Sequence, residues 1–310
     1  MISISSLAVG IAVFILFLQI FRAPFSMDTF HRNAERIFTV VVVFPGGSQG
    51  DRHRAHTPAA LPAALRSEIP EIEDATRIFG LKTCVVRYRD RSFMEGGGLA
   101  VDPNVLSVFS FPVLSGDPKT MLASPNSIVL TRSLAAKVFG DEPAAGKILT
   151  LEKQIDLVVS GVLEDSPPQS SISYSYLVPL EVADSLHYLK NDWNSFEVST
   201  FVLLQAGCLP SSLGSKLSAF TTNHFSQAAS SPSGIYLYPL RDMFFRPENL
   251  EAINDRDSRA GYYISLAIGL LFLVVVSVNY MNLVTAKYSD RLKEVGVRKS
   301  IGASRSDLVW

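Results

Sequence analysis

Tyr262 to Asn282 reads YYISLAIGLLFLVVVSVNYMN, and this stretch decides how the rest of the chain is organised. None of its 21 residues carries a charge. As a helix they would extend about 31 Å at roughly 1.5 Å per residue, which matches a hydrocarbon core of about 30 Å. Tyr262, Tyr263 and Tyr280 stand at its ends, where aromatic rings favour the membrane interface. A buried core helix is the competing reading, and so long a run without a charge argues against it.

The chain opens on a second such run, MISISSLAVGIAVFILFLQIF at residues 1–21, again uncharged. It lacks the basic leader and the small-x-small cleavage site of a signal peptide, so an anchored span is the expectation. The tail from Leu283 to Trp310 holds Lys287, Arg291, Lys293, Arg298, Lys299 and Arg305. The residues just before the second run hold Arg246, Arg256 and Arg259 among five acids. Basic flanks stay on the cytoplasmic side. That places the tail in the cytoplasm, and two spans put residue 1 there too. The residues between are then extracytoplasmic, periplasmic in a Gram-negative cell.

Bulk numbers agree with a mixed protein. The 310 residues carry a net charge of −1, with 47% hydrophobic and 18% charged residues and mean hydropathy +0.23. That charge content is low for a soluble domain. A near-neutral total argues against nucleic-acid binding. Cys84 and Cys208 match no zinc or redox spacing, and a disulfide between them would need Cα atoms within roughly 7 Å.

The intervening segment reads as α+β. RIFTVVVVF, STFVLLQ and the start of NSIVLTRSLAAKVFG are strand-like. The last continues into a helix, with Thr131 as N-cap and Gly140 as stop. PAALPAALRSEIP is a short amphipathic helix, with Pro58 in its first turn. KTCVVRYRDRSFME is a hairpin turning around Arg89–Arg91. In VDPNVLSVF, Asp102 is placed as an N-cap, with Pro103 opening the helix. GKILTLEKQIDLVVSGVLED alternates like two adjacent strands. CLPSSLGSKLSAF is a helix with Pro210 near its start, and PPQSSISYS is a connection. The strands and helices do not alternate regularly, which favours α+β over a doubly wound sheet. A subdomain boundary is expected near 165–175 or after Ser199.

Several stretches resemble chemistry without carrying it. EGGGLAVD (Glu95 to Asp102) lacks the Lys-Ser/Thr ending of a phosphate loop and reads as a turn or bulge. In DRHRAH, His53 and His56 stand beside Asp51, and the preceding PGGSQG points to a solvated loop rather than a metal site. No Gly-x-Ser-x-Gly elbow and no His-Glu-x-x-His occurs. No catalytic constellation, cofactor site or metal site is expected.

The tail carries the family signal. RLKEVGVRKSIGAS closely resembles the segment after the second membrane helix of FtsX-like ABC-transporter permeases. The matching residues are Lys293, Glu294, Val295, Gly296, Val297, Arg298, Lys299, Gly302 and Ala303. MDTFHRNAERIFTV resembles the stretch after the first span of MacB-like permeases, with Asp28, Phe30, His31, Asn33 and Ala34 in place. VDPNVLSVFSFPVLSGDP and VSGVLEDSPPQSSISYSYLVPL resemble the MacB-type periplasmic core domain. The basic helix before the first span and the later spans are missing, as in the N-terminal part of a longer permease.

The resemblance implies an α+β extracytoplasmic domain flanked by two transmembrane α-helices. The divisions are residues 1–21, 22–260, 261–282 and 283–310. It implies a non-enzymatic subunit without cofactors. Its partners would be a cytoplasmic ABC ATPase, a second permease copy or half, the lipid bilayer and a periplasmic protein. The mechanism would be mechanotransmission: ATP-driven movement of a partner passed through the helices to the periplasmic domain, in efflux or a related envelope task. Glu294, Gly296, Arg298, Lys299, Gly302, Ala303 and Arg305 would couple to the ATPase. Gly302 reads as a helix stop, and Ser304 with Asp307 as the cap of a new helix. A membrane-anchored sensor is the main alternative, and an anchored periplasmic enzyme a further one.

Overall fold

The computed structural model describes residues 2–46, 50–189, 192–225, 231–245, 250–251 and 259–301. The chain separates into two compact units, one of residues 26–257 and one combining residues 1–25 with 258–310.

Helix α1 (Ile2–Arg22) opens the chain. Turns over residues 27–36 lead into strand β1 (Ile37–Phe44), whose first six residues are all buried. Two short strands follow, β2 (Arg52–Arg54) and β3 (His56–Pro58). The solvated loop expected for DRHRAH is therefore two sheet segments: β2 pairs with β1, Val42 opposite Arg54, and β3 pairs across to Ser199. Helix α2 (Leu61–Glu68) takes Pro62 in its first turn. Pro58, expected there, ends β3 instead. Either proline lacks an N–H that a first turn would leave unpaired, so the sheet pairing of His56 and Thr57 decides the register.

Strand β4 (Ile72–Gly80) is followed by the hairpin β5 (Cys84–Tyr88) and β6 (Arg91–Glu95). Its turn falls at Arg89, which takes the left-handed φ of 52°. Strand β7 (Gly98–Val101) is fully buried, so EGGGLAVD supplies a central strand as well as a turn. Helix α3 (Val105–Val108) starts after Asn104 without a side-chain cap. Asp102, expected as that cap, is held instead by Arg77. A guanidinium offers a carboxylate two charge-assisted bonds where a helix offers it one amide.

Strands β8 (Val113–Ser115) and β9 (Ser127–Thr131) precede helix α4 (Arg132–Phe139). Thr131 caps it as expected, accepting Leu134 N–H at 3.4 Å, and Gly140 ends it at φ 65°. Strands β10 (Ile148–Leu151) and β11 (Ile155–Leu163) form the expected antiparallel pair. Then come β12 (Tyr176–Pro179), helix α5 (Leu180–Ser185), β13 (Phe196–Leu204), a 3-10 turn at Pro210–Leu213 and helix α6 (Gly214–His224). Strands β14 (Gly234–Pro239) and β15 (Leu250–Glu251) precede helix α7 (Arg259–Ser300).

These strands form one mixed sheet, in the order β15-β2-β1-β13-β4-β7-β12-β9-β11-β10-β5-β6. β14 joins β1, β3 joins β13 and β8 joins β11. The pairs β7/β12, β9/β11 and β2/β15 are parallel. Neighbours distant in sequence meet at the centre, where β13 pairs with β4, Val202 opposite Ala75. Helices α2 and α6 pack Leu61, Leu65, Leu217 and Phe220 against Val40, Val42 and Val202. Helices α4 and α5 cover the β9–β12 region through Leu134, Val138, Leu180 and Val182. Burying such side chains contributes roughly 1.5–3 kcal/mol each. Cys84 is buried, Cys208 half-exposed, and both are free.

In the other unit α1 and α7 pack antiparallel. A methyl at Gly10 would overlap Val276, and one at Gly269 would press on Phe17 at 3.3 Å. The small residues let the two backbones approach. Within α7, Gly261–Ser289 is long and apolar enough to cross a membrane. In α1 the apolar stretch among the residues whose side chains are described is Gly10–Gln19.

Candidate functional site

The turns between α1 and β1 build a buried polar clasp. Asp28 sits at φ 56°, a left-handed conformation that Asp and Asn tolerate better than most residues. Its N–H donates to Gln169 O at 2.8 Å, and its Oδ1 accepts Ser171 N–H at 2.8 Å. One turn on, His31 Nδ1 accepts Ser110 N–H at 3.1 Å, while Arg32 N–H donates to Ser110 Oγ at 3.0 Å. The segment is thereby tied to the loop after α3 and to the connection after β11. That connection ties itself down too: Ser170 Oγ and Ser166 Oγ donate to Ile172 O at 2.8 and 3.1 Å.

Asp28 and His31 are both buried. The imidazole lies among Phe30, Phe109 and Phe111, with centroids 4.0, 5.2 and 5.5 Å away. Burial pushes the His31 pKa down to about 4. Burial also pushes Asp28 up to about 6, partly offset by its bonds from Ser171. At neutral pH the aspartate is ionised and the imidazole neutral. Because Nδ1 accepts, the ring proton is on Nε2. His31 Nε2 and Asp28 Oδ1 are 3.9 Å apart, too long for a hydrogen bond. With a neutral ring the contact is no ion pair either. Among the described residues, Asp28 Oδ2 and His31 Nε2 are buried without hydrogen-bond partners. Such groups cost free energy, so the clasp holds position at the expense of stability.

A second polar centre braces the sheet. Arg77 on β4 donates through Nε and Nη2 to Asp102 at 2.6–3.1 Å, and through Nη1 to Ala59 O at 2.8 Å. Asn104 Nδ2 donates to Asp74 Oδ1 at 2.8 Å. These bonds fasten α2, β4 and the start of α3 together.

Of the residues expected to couple to an ATPase, Glu294, Gly296, Arg298 and Lys299 lie on the last turns of α7. Glu294 and Arg298 are one helical turn apart, Gly296 and Lys299 are exposed, and α7 runs unbroken to Ser300. Gly302, Ala303, Arg305 and the Ser304 cap lie outside the described residues. Among the described residues no cluster of three or more metal-ligating groups occurs. The sequence marked Asp28 and His31 only through family likeness. Their partners Ser110 and Ser171 carried no signal, because the bonds use backbone amides far along the chain.

Residues 1–219 match the family described as the MacB-like periplasmic core domain. The chain belongs to that family. It is 24% identical over 278 residues to the Macrolide export ATP-binding/permease protein MacB 1/2 of Paracoccus denitrificans, covering 86% of this chain and 38% of that protein. It is 23% identical over 184 residues to the Macrolide export ATP-binding/permease protein MacB of Bdellovibrio bacteriovorus, covering 58% and 26%. The chain therefore spans well under half the length of both relatives. A crystallised domain of a protein described as a permease, from Porphyromonas gingivalis, superposes with a TM-score of 0.59 at 22% identity. That match covers 76% of this chain and 98% of the crystallised one, a likeness of fold.

Proposed function

We propose that this chain is a non-enzymatic permease component of an ABC transporter. In this reading α1 and α7 anchor it in the bacterial inner membrane as residues 1–21 and 261–282. Residues 22–260 stand in the periplasm as the core domain, and residues 283–310 begin the cytoplasmic coupling segment. A partner ATPase hydrolyses ATP and moves α7. The movement reaches the periplasmic unit and serves efflux or a related envelope task, with a second permease copy completing the complex.

The observation that carries this reading is the continuity of α7. Its 42 residues run from Arg259 to Ser300 without a break. At roughly 1.5 Å per residue they extend about 63 Å, twice the thickness of a hydrocarbon core. A rod of that length transmits displacement, because a sharp kink needs a proline, a Gly/Ser pair, a π-bulge or an inserted side chain or water. The clasp supports the same reading at the other entry point. A push along α1 would reach residues 27–36, which hydrogen bonds fix to two loops of the sheet unit.

Reversing charge with Arg298→Glu and Lys299→Glu tests the coupling. The expected result is loss of a P-loop ATPase from native-membrane pull-downs, with the permease still inserted. Unchanged recovery of the ATPase together with unchanged transport would overturn the coupling role. Recovery of a kinase in place of an ATPase would support a sensor instead.

A further inference from the structure

A cleft of about 710 Å³ opens where the end of β4 and the start of β13 meet the turn after α5. That volume lies within the range of small-ligand sites. Phe79, Tyr188 and Phe196 give it aromatic walls. The walls are anchored from behind. Phe196 meets Phe44 edge-on at 5.1 Å and stacks near Phe225 at 6.2 Å. Tyr188 is held by its N–H, which donates to Ala183 O at 2.9 Å.

Two opposite charges face the same space, Lys82 and Glu197, both exposed. Lys137, Lys147 and Lys216 each take a glutamate partner. Among the described residues Lys82 and Glu197 take none. The Lys82 ammonium lies 5.8 Å from the Tyr188 ring centroid. His56 also lines the cleft, and its pKa is lowered by burial and then by Arg54. It is therefore neutral at pH 7, and His187 lines the cleft beside it.

We propose that this cleft binds a small apolar zwitterion, the chemistry of an aromatic or large aliphatic amino acid. The apolar body lies between Phe79, Tyr188 and Phe196. The carboxylate meets Lys82 and the ammonium meets Glu197. A purely apolar ligand would leave both charges unanswered, and a singly charged one would answer only half. The cleft uses no residue of α1, α7 or the clasp. Its failure would leave the coupling reading standing, and failure of coupling would leave the cleft.

Calorimetric titration of the full chain in lipid nanodiscs tests this, with phenylalanine, N-acetylphenylalanine and phenylalaninamide as probes and empty nanodiscs as baseline. Saturable binding of phenylalanine is expected. Lys82→Gln should weaken it roughly fivefold while leaving phenylalaninamide unchanged. Glu197→Gln should weaken it similarly while leaving N-acetylphenylalanine unchanged. Both side chains are exposed, so both variants should retain the parent unfolding temperature. Absence of saturable heat above empty nanodiscs at roughly 10 mM probe would overturn the proposal. So would equal weakening of all three probes by either variant.

Discussion

Ser171 donates its backbone N–H to Asp28 Oδ1 at 2.8 Å, joining residues 143 positions apart. The carboxylate that accepts this bond is fully buried, and among the described residues its second oxygen has no hydrogen-bond partner. The clasp therefore stores an electrostatic cost at the point where the chain enters the sheet unit.

Asp28→Asn should raise stability at pH 7.5. The folded pKa is about 6 against an ordinary 3.8. The folded state therefore holds its proton more tightly than the unfolded state. Stability from this group is greatest below pH 3.8, falls as pH rises to about 6, and stays low above it. A shift of this size corresponds to a cost on the order of 3 kcal/mol for the ionised form. Asn keeps the acceptor for Ser171 and suits the left-handed backbone. Its amide N–H groups gain no acceptor, so a net gain of about 1 kcal/mol is expected. Asp28→Ala sheds the same burial cost but leaves the Ser171 N–H without its acceptor, so it should be less stable than the Asn variant by about 1–3 kcal/mol. Thermal unfolding distinguishes them, and a destabilised Asn variant would contradict the burial cost.

His31 has the opposite sign. Its folded pKa is about 4 against 6.5, so the unfolded state takes up the proton first as pH falls. Stability from this group is full above pH 6.5 and is lost towards pH 4. In the parent chain the two slopes oppose each other between pH 4 and 6. Asp28→Asn should therefore lose stability on acidification faster than the parent, and His31→Leu more slowly. Nitrogen NMR of His31 should show the Nε2–H form, with no titration near pH 6.5. A ring that titrates there would show it is solvated.

Gly98→Ala should destabilise strongly. Gly98 pairs with Tyr176 across the parallel β7/β12 ladder, and an added methyl would overlap the buried tyrosine ring. Overpacking of this kind costs about 1–3 kcal/mol. Gly80→Ala is the control, because among the described residues nothing lies within 4 Å of the added carbon. Equal unfolding temperatures for the two variants would refute the close approach.

Arg77→Met should cost about 3–5 kcal/mol if the pair behaves as buried, and less in proportion to its partial exposure. Arg77 and Asp102 retain 21% and 15% side-chain exposure, so a loss of roughly 2 kcal/mol is expected. Arg77→Met combined with Asp102→Leu should recover part of it. A double-mutant cycle with no coupling would show that the two act separately.

The sequence by itself determined the local elements. The uncharged run at 262–282 specified an apolar helix, and α7 contains it. Thr131 and Gly140 bounded α4 because cap and stop are satisfied within one turn. The Arg89 turn and the β10/β11 hairpin followed from alternation between near neighbours. The family signal in residues 28–34 was legible for the same reason, being carried by contiguous residues. Tertiary structure decided what depends on distant partners. Asp102 was read as a cap because its neighbours suggest one, yet Arg77, 25 residues away, offers the stronger bond. DRHRAH reads as loop until β1, β13 and β15 pair with its two halves. The clasp and the cleft were invisible for that reason. A backbone amide at Ser171 and a ring at Tyr188 acquire meaning only when the fold sets them against Asp28 and Phe196.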